Sequence, residues 1–420
     1  MLSALGNAFK VKELRKKILF VLAMMVIYRI GSYIPVPGVD VSRLQKLLFG
    51  GAGGDIFRFL DLFSGGALRK FTIFAMSITP YITASIIIQL LGGVIPYFEE
   101  LQRQGAEGKK KLTQFTRYGT IVLAVIQGFG ITMGIRTAIV NPNFFNLLLI
   151  VISLTAGTAF LMWLGEQITE KGIGNGISII IFTSIISRFP SNIINVVERL
   201  QVGAITALNV LMFLILALVI VAGIIFIQQG ERRIPVQYSK RIVGRRVYGG
   251  RSTHIPLKVN QAGVIPVIFA SSILMFPAVI GQVIPVGFIK TIADQLSPGR
   301  PLYMVIYAAM IFFFTYFWTA FTFNPEEVAE NMKKYGGFIP GIRPGKATVQ
   351  YLERVVVRVT LAGATFLTII ALLPFFMTAV TRVSISFGGT SLLIMTGVAL
   401  QTMQQIESHL LMRHYEGFMK

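Results

Sequence analysis

The chain has 420 residues, of which 54% are apolar and only 14% charged, and it contains no cysteine. A soluble domain carries about 45–50% apolar and about 25% charged residues, so this balance excludes a soluble enzyme, and the missing cysteines exclude a disulfide-built secreted domain. Against 18 acidic residues stand 39 basic ones, a net charge of +21, which on a membrane protein serves to fix topology and to meet anionic partners.

In chain order, apolar runs long enough to cross a hydrocarbon core of roughly 30 Å fall at about 18–35, 71–95, 115–135, 147–165, 177–193, 207–228, 261–285, 303–323, 356–379 and 386–406. They are too long and too continuously apolar for barrel strands, so helices are expected. Lys10, Lys12, Arg15, Lys16 and Lys17 precede the first run. That run contains Arg29 and ends in Tyr33-Ile34-Pro35-Val36-Pro37 without a small-x-small site, so it is expected to stay as the first helix and not be cleaved. Ten spans put both ends on one side. The ends and even-numbered connections hold 27 of the 39 basic residues and the odd-numbered connections 11, which marks the former as cytoplasmic.

Between the first two spans, Gly50-Gly51-Ala52-Gly53-Gly54 precedes a short segment ending at Ser64-Gly65-Gly66. Ile56, Phe59, Leu60 and Phe63 share one helical face, with Asp55 placed as N-cap. The segment is too short to span. Two placements fit it equally: along the outer leaflet, or folded back into a cavity between spans.

The second span reads Pro80-Tyr81-Ile82-Thr83-Ala84-Ser85-Ile86-Ile87 and the seventh Pro266-Val267-Ile268-Phe269-Ala270-Ser271-Ser272-Ile273, both P-x-I-x-A-S-x-I. The fifth opens Gly176-Ile177-Ser178-Ile179-Ile180-Ile181 and the tenth Gly389-Thr390-Ser391-Leu392-Leu393-Ile394. Both matches are offset by five helices, which reverses membrane direction, so residues 1–200 and 201–420 are expected to be inverted five-helix halves. A pathway between halves lies at membrane depth. If the repeated isoleucines face it they form a dewetted constriction; otherwise they face lipid or pack between helices.

No acid is found at midspan, as an ion-coupled transporter would require. Midspan polar residues are uncharged: Thr79, Thr83, Ser85, Gln89, Gln127, Ser153, Thr155, Ser271 and Ser272. His254, His409 and His414 lie in connections or at the end, so no intramembrane metal site or catalytic dyad is expected. Gly172-Ile173-Gly174-Asn175-Gly176 reads as a helix break, because it lacks the strand-turn-helix context of a phosphate loop. Residues 229–258 carry eight basic side chains, among them Lys240, Arg241, Arg245 and Arg246, against Glu231 alone. Their Val, Ile and Tyr content suits a protruding hairpin, a basic finger for RNA phosphates or an acidic protein. In residues 324–358, Pro340-Gly341-Ile342-Arg343-Pro344-Gly345 fixes an exposed turn that presents Arg343. The absence of midplane acids and the size of the basic loops speak against a solute transporter, and no nucleophile-base pair supports a membrane enzyme.

Ile78-Thr79-Pro80-Tyr81-Ile82-Thr83-Ala84-Ser85-Ile86-Ile87-Ile88-Gln89-Leu90-Leu91 resembles the second-helix signature of the SecY family, channel subunits of the bacterial export translocon. Trp163–Glu170, Gly172–Ile181, Gly244–Tyr248, Ser252-Thr253-His254, Phe338–Gly345 and Phe387–Ser391 extend the resemblance along the chain. It implies an all-α, ten-helix clam-shell around an hourglass pore in a bacterial plasma membrane, without cofactor or catalysis. It further implies a plug at about 55–65 (Asp55, Ile56, Phe59, Leu60, Phe63) and a ring of Ile78, Ile82, Ile177, Ile181, Ile268 and Ile394. The lateral gate would run between spans two and three and spans seven and eight, past Thr83, Gln127 and Phe276. Implied partners are SecE and SecG in the membrane, the SecA motor or a ribosome at Lys240, Arg241, Arg245, Arg246 and Arg343, signal peptides and nascent chains, and anionic lipid.

Overall fold

The computed structural model describes residues 9–49, 61, 63–238, 241–243, 246–248, 252–283, 295–296, 300–381 and 389–418. Helices dominate. They are α1 (Lys12–Gly31), α2 (Val41–Phe49), α3 (Thr79–Val94), α4 (Pro96–Arg103), α5 (Ala106–Gly134), α6 (Phe144–Lys171), α7 (Gly176–Ile186) and α8 (Phe189–Gln201). There follow α9 (Ala207–Gln229), α10 (Ile265–Val283), α11 (Pro301–Thr322), α12 (Pro325–Lys334), α13 (Lys346–Thr381) and α14 (Gly389–Phe418). Each of the ten apolar runs overlaps at least one of these helices among the described residues. Among the described residues five helices are long and apolar enough to cross a membrane, or six if α3 and α4 count as one bent span.

Two runs depart from continuous helix. The second, expected over 71–95, is turns through residues 71–78 and helix only from Thr79. Phe71 and Ser77 take φ of 47° and 53°, a left-handed conformation that costs a residue with a Cβ about 1–3 kcal/mol unless the surroundings hold it. Pro80, in the first turn of α3, needs no amide partner there. At the far end the chain bends by 99° at Ile95 into α4, which Pro96 opens in the same way. The fifth run, expected over 177–193, ends as α7 at Ile186 and restarts as α8 beyond Ser187-Arg188, with Pro190 in the new first turn.

The glycine-rich stretch before α7 is a helix break. Gly174 has φ +92°, and its N–H donates to Gln405 Oε1 of α14 at 2.8 Å. Asn175 caps α7 by accepting from Ser178 N–H at 3.1 Å. Gly157 of α6 lies where a Cβ would collide with the carbonyl of Ile73, so a glycine lets α6 close onto the irregular stretch, as small residues do between membrane helices.

The two long basic connections form one small sheet. β1 (Glu231–Tyr238) pairs antiparallel with β4 (Ser252–Lys258), from Glu231 opposite Lys258 to Gln237 opposite Ser252. A short β2 (Arg241–Val243) and β3 (Arg246–Tyr248) pair beyond them. β5 (Gly337–Phe338) joins the other edge of β1, so the order is β4-β1-β5. Beneath lies a separate core of Ile234, Val236, Leu257, Ala329, Met332, Ile339 and Leu352. The main core is a cluster gathered from α1, α3, α6, α7, α9, α10, α11, α13 and α14.

Candidate pore constriction

Four helices aim isoleucines at one place. Ile78 caps the start of α3 and Ile82 lies one turn in; Ile177 and Ile181 are one turn apart on α7. Ile268 comes from the first turn of α10 and Ile394 from the second of α14. Ile78, Ile82, Ile181, Ile268 and Ile394 are buried in the same apolar cluster, each at most 9% exposed, and Ile177 packs on it partly buried. Aliphatic side chains offer water no hydrogen-bond partner, which is the physical basis of gating by dewetting.

Phe63, the described member of the expected plug face, is buried in that cluster. Asp55, Ile56, Phe59 and Leu60 lie outside the described residues. Phe63, Ile78, Ile82, Ile181 and Ile268 line a cavity of about 10 Å³ together with Ser77, Thr79, Ser271 and Ser272. That volume holds at most about one water. Ser77 donates its hydroxyl to the carbonyl of Phe63 at 2.8 Å, and Ser271 to that of Ile268 at 2.9 Å. Those two hydroxyls are thus spent locally, while Thr79 and Ser272 add two more to the lining.

Beside the cluster, α10 packs against both α3 and α5, while α7 packs against α14. Thr83 is buried on α3 with its hydroxyl donated to Thr79 carbonyl at 3.0 Å, so it offers no free donor to the seam. Gln127 on α5 is half-buried. The side chain of Phe276 lies outside the described residues. Gln89 donates to Ser85 Oγ at 3.1 Å, and its buried Oε1 has no partner.

Two ion pairs flank these helices. Arg117 of α5 grips Glu166 of α6 with two hydrogen bonds, 2.7 Å from Nε and 2.8 Å from Nη2. At the opposite end of the bundle Asp61 Oδ2 stands 2.9 Å from Arg188 Nη2 with both side chains largely buried. No sequence pattern links Asp61 to Arg188; their significance comes from a contact between positions far apart in the chain.

In the basic loops, Arg343 is exposed on a turn flanked by Gly341 at φ +82° and Gly345 at φ +107°. Thr348 is buried and donates its hydroxyl to the Arg343 carbonyl at 3.0 Å. Arg241 and Arg246 are placed on β2 and β3, whose side chains are outside the described residues, as are Lys240 and Arg245. The sheet nonetheless brings the two loops together.

Residues 72–403 match the SecY family. A protein translocase subunit SecY from Thermotoga maritima is 47% identical over 433 residues, covering 100% of this chain and 98% of the relative. Among solved structures, a SecY described by a plug domain that stabilises the closed translocation channel and maintains a membrane seal superposes with a TM-score of 0.68 at 18% identity, covering 94% of this chain and 92% of that one. Sec61 in a canine ribosome-channel complex from the endoplasmic reticulum does so at 0.63 and 19% identity, over 94% and 92%. The family match, the full-length relative and the bundle of helices closing on an aliphatic waist converge, and the chain belongs to the SecY family of protein-translocase channel subunits.

Proposed function

We propose that Ile78, Ile82, Ile177, Ile181, Ile268 and Ile394 are the pore ring of this channel, and that the segment ending at Phe63 is its plug. The observation that carries this reading is the convergence of Phe63, Ile78, Ile82, Ile181 and Ile268 on a space for about one water, with Ile394 buried in the same cluster. Residues 1–200 and 201–420 form the two halves, and the seam of α3 and α5 against α10 is the lateral gate past Thr83, Gln127 and Phe276. A nascent chain parts the ring and occupies it; an apolar segment leaves sideways into lipid. The channel has no chemistry of its own, so a motor such as SecA or a translating ribosome supplies the work.

Both ends and the joined basic loops face the cytoplasm of a bacterial cell, by the distribution of Lys and Arg. Those loops receive SecA or the ribosome, whose rRNA phosphates suit Arg343 and its neighbours; the Sec61–ribosome complex of the same fold supports the assignment. SecE and SecG, signal peptides and anionic lipid complete the partner set.

The test is crosslinking from a secretory chain stalled in transit to photoreactive probes at positions 82 and 268. Adducts at both positions, and none to probes at lipid-exposed Leu218 or Val305, are expected. Labelling confined to the lipid-facing probes removes the ring.

A further inference from the structure

Phe63 reaches the isoleucine cluster from a segment that is tied down by charge and hydrogen bonds. The Asp61 side chain is 1% exposed and that of Arg188 14%. Asp61 Oδ2 stands 2.9 Å from Arg188 Nη2, outside hydrogen-bond geometry, as an ion pair. Its Oδ1 accepts from the N–H of Arg69 at 2.9 Å and from the Ser64 hydroxyl at 3.4 Å. The neighbouring turn is held from α1: the Tyr28 hydroxyl donates to the carbonyl of Ser64 at 3.2 Å, and Arg29 Nη1 to that of Gly65 at 3.2 Å. The same Tyr28 hydroxyl lies 2.6 Å from Ser184 Oγ of α7. Gly65 sits at φ +64° with a Cβ position 3.1 Å from the Ser184 backbone, so only glycine brings the turn this close. Ser77, holding the Phe63 carbonyl, closes the loop onto the start of α3.

We propose that the Asp61–Arg188 ion pair, backed by the Tyr28–Ser184–Ser64 contacts, is a positioning latch: it holds Phe63 in the closed constriction and sets how readily the channel opens. The inference rests on the pore reading above and adds the residues that set its closed state. An ion pair suits a latch that must let go. While the site is dry the two charges hold each other firmly, because attraction rises as the local dielectric falls. Once the channel opens and water enters, each charge regains hydration and the attraction is screened. Apolar contacts of equal strength would gain no such help on release.

The experiment uses the full chain assembled in membranes, with resting ion conductance in planar bilayers as the readout and export of a precursor with a disabled signal sequence as a second. Asp61→Asn and Arg188→Gln each leave one buried charge without its partner and are expected to raise the resting leak by about tenfold. Combining Asp61→Arg with Arg188→Asp restores an ion pair and is expected to return the leak to within about threefold of the parent. Tyr28→Phe keeps the ring stacked on Phe74 and removes one hydroxyl; it covers the case in which a charge variant fails to accumulate, and an increase of about threefold is expected. Ile82→Asn with Ile268→Asn runs alongside as the reference for a broken ring. If the reference leaks and neither the charge variants nor Tyr28→Phe does, the latch is wrong and the ring stands. A charge-swapped protein as leaky as the single variants also overturns the ion pair. Where the reference itself stays tight, the pore reading fails, and the latch fails with it.

Discussion

Isoleucine suits the proposed seal, which must form and re-form. Its branched Cβ restricts χ1, so little rotamer freedom is lost when the ring closes, and it carries no polar atom through which water could thread. Asparagine, unbranched at Cβ and polar, reverses both properties: an amide left without a partner in a dry site costs about 1–3 kcal/mol, and the cheapest remedy is to admit water. Ile82→Asn with Ile268→Asn is therefore expected to raise resting conductance and to relax the demand for a good signal sequence, measured by bilayer recording and by export of a signal-defective precursor. Unaltered conductance and selection would count against these side chains as the barrier. Four of the six proposed ring positions (Ile82, Ile181, Ile268, Ile394) stand out in the sequence because the internal repeat pairs them, whereas Ile78 and Ile177 rest on the family resemblance. The latch was illegible. Tyr28 meets Ser64 and Ser184 across 36 and 156 residues, and no periodicity links such positions.

At the scale of elements, apolar runs located the helices because length and hydropathy act locally. They missed the points where backbone geometry overrides hydropathy: the left-handed Phe71 and Ser77, the bend at Ile95-Pro96 and the restart after Arg188. Residues 71–78 are apolar enough for a helix, yet they serve as a connector tied to Phe63 and packed by Gly157. Gly157→Ala would press a methyl onto the Ile73 carbonyl, and overpacking of this sort costs about 1–3 kcal/mol. A fall in thermal stability of the purified complex is expected; a variant as stable as the parent would show that α6 shifts freely. The sheet is a further lesson, since β1 pairs with β5 about a hundred residues on in sequence, beyond the reach of hairpin signals. Its separate core makes the Arg343 turn a fixed platform. Arg343→Glu is expected to reduce SecA-driven transport by an order of magnitude or more by like-charge opposition with an acidic partner, with insertion of the channel into membranes unaltered. Full transport by that variant would remove Arg343 from the docking surface.

Over the whole molecule, the two faces of the bundle differ in what joins them. Where α10 meets α3 and α5, the seam borders the small cavity and includes hydroxyls satisfied within their own helices, so little bonding has to be broken to part it. On the other face, α7 and the break before it are bound to α14 by Gly174 to Gln405 and by the apolar group of Leu14, Ile173 and Ile406. We propose a clam-shell that opens at the first face and pivots near the second, which accounts for both. The chain has no cysteine, so pairs can be introduced on a silent background and joined by a short bismaleimide. Joining Thr79→Cys to Ser272→Cys, which line the same cavity, is expected to abolish export of a secretory precursor. Joining Ile173→Cys to Ile406→Cys should leave export within about twofold, because neighbours that stay packed near a hinge lose little freedom when tethered. Unlinked double-cysteine proteins control for the substitutions themselves. Export that survives the first tether would place the opening elsewhere. Export lost through the second would mean that α7 and α14 must also part, so that the halves separate all round and do not swing about one edge.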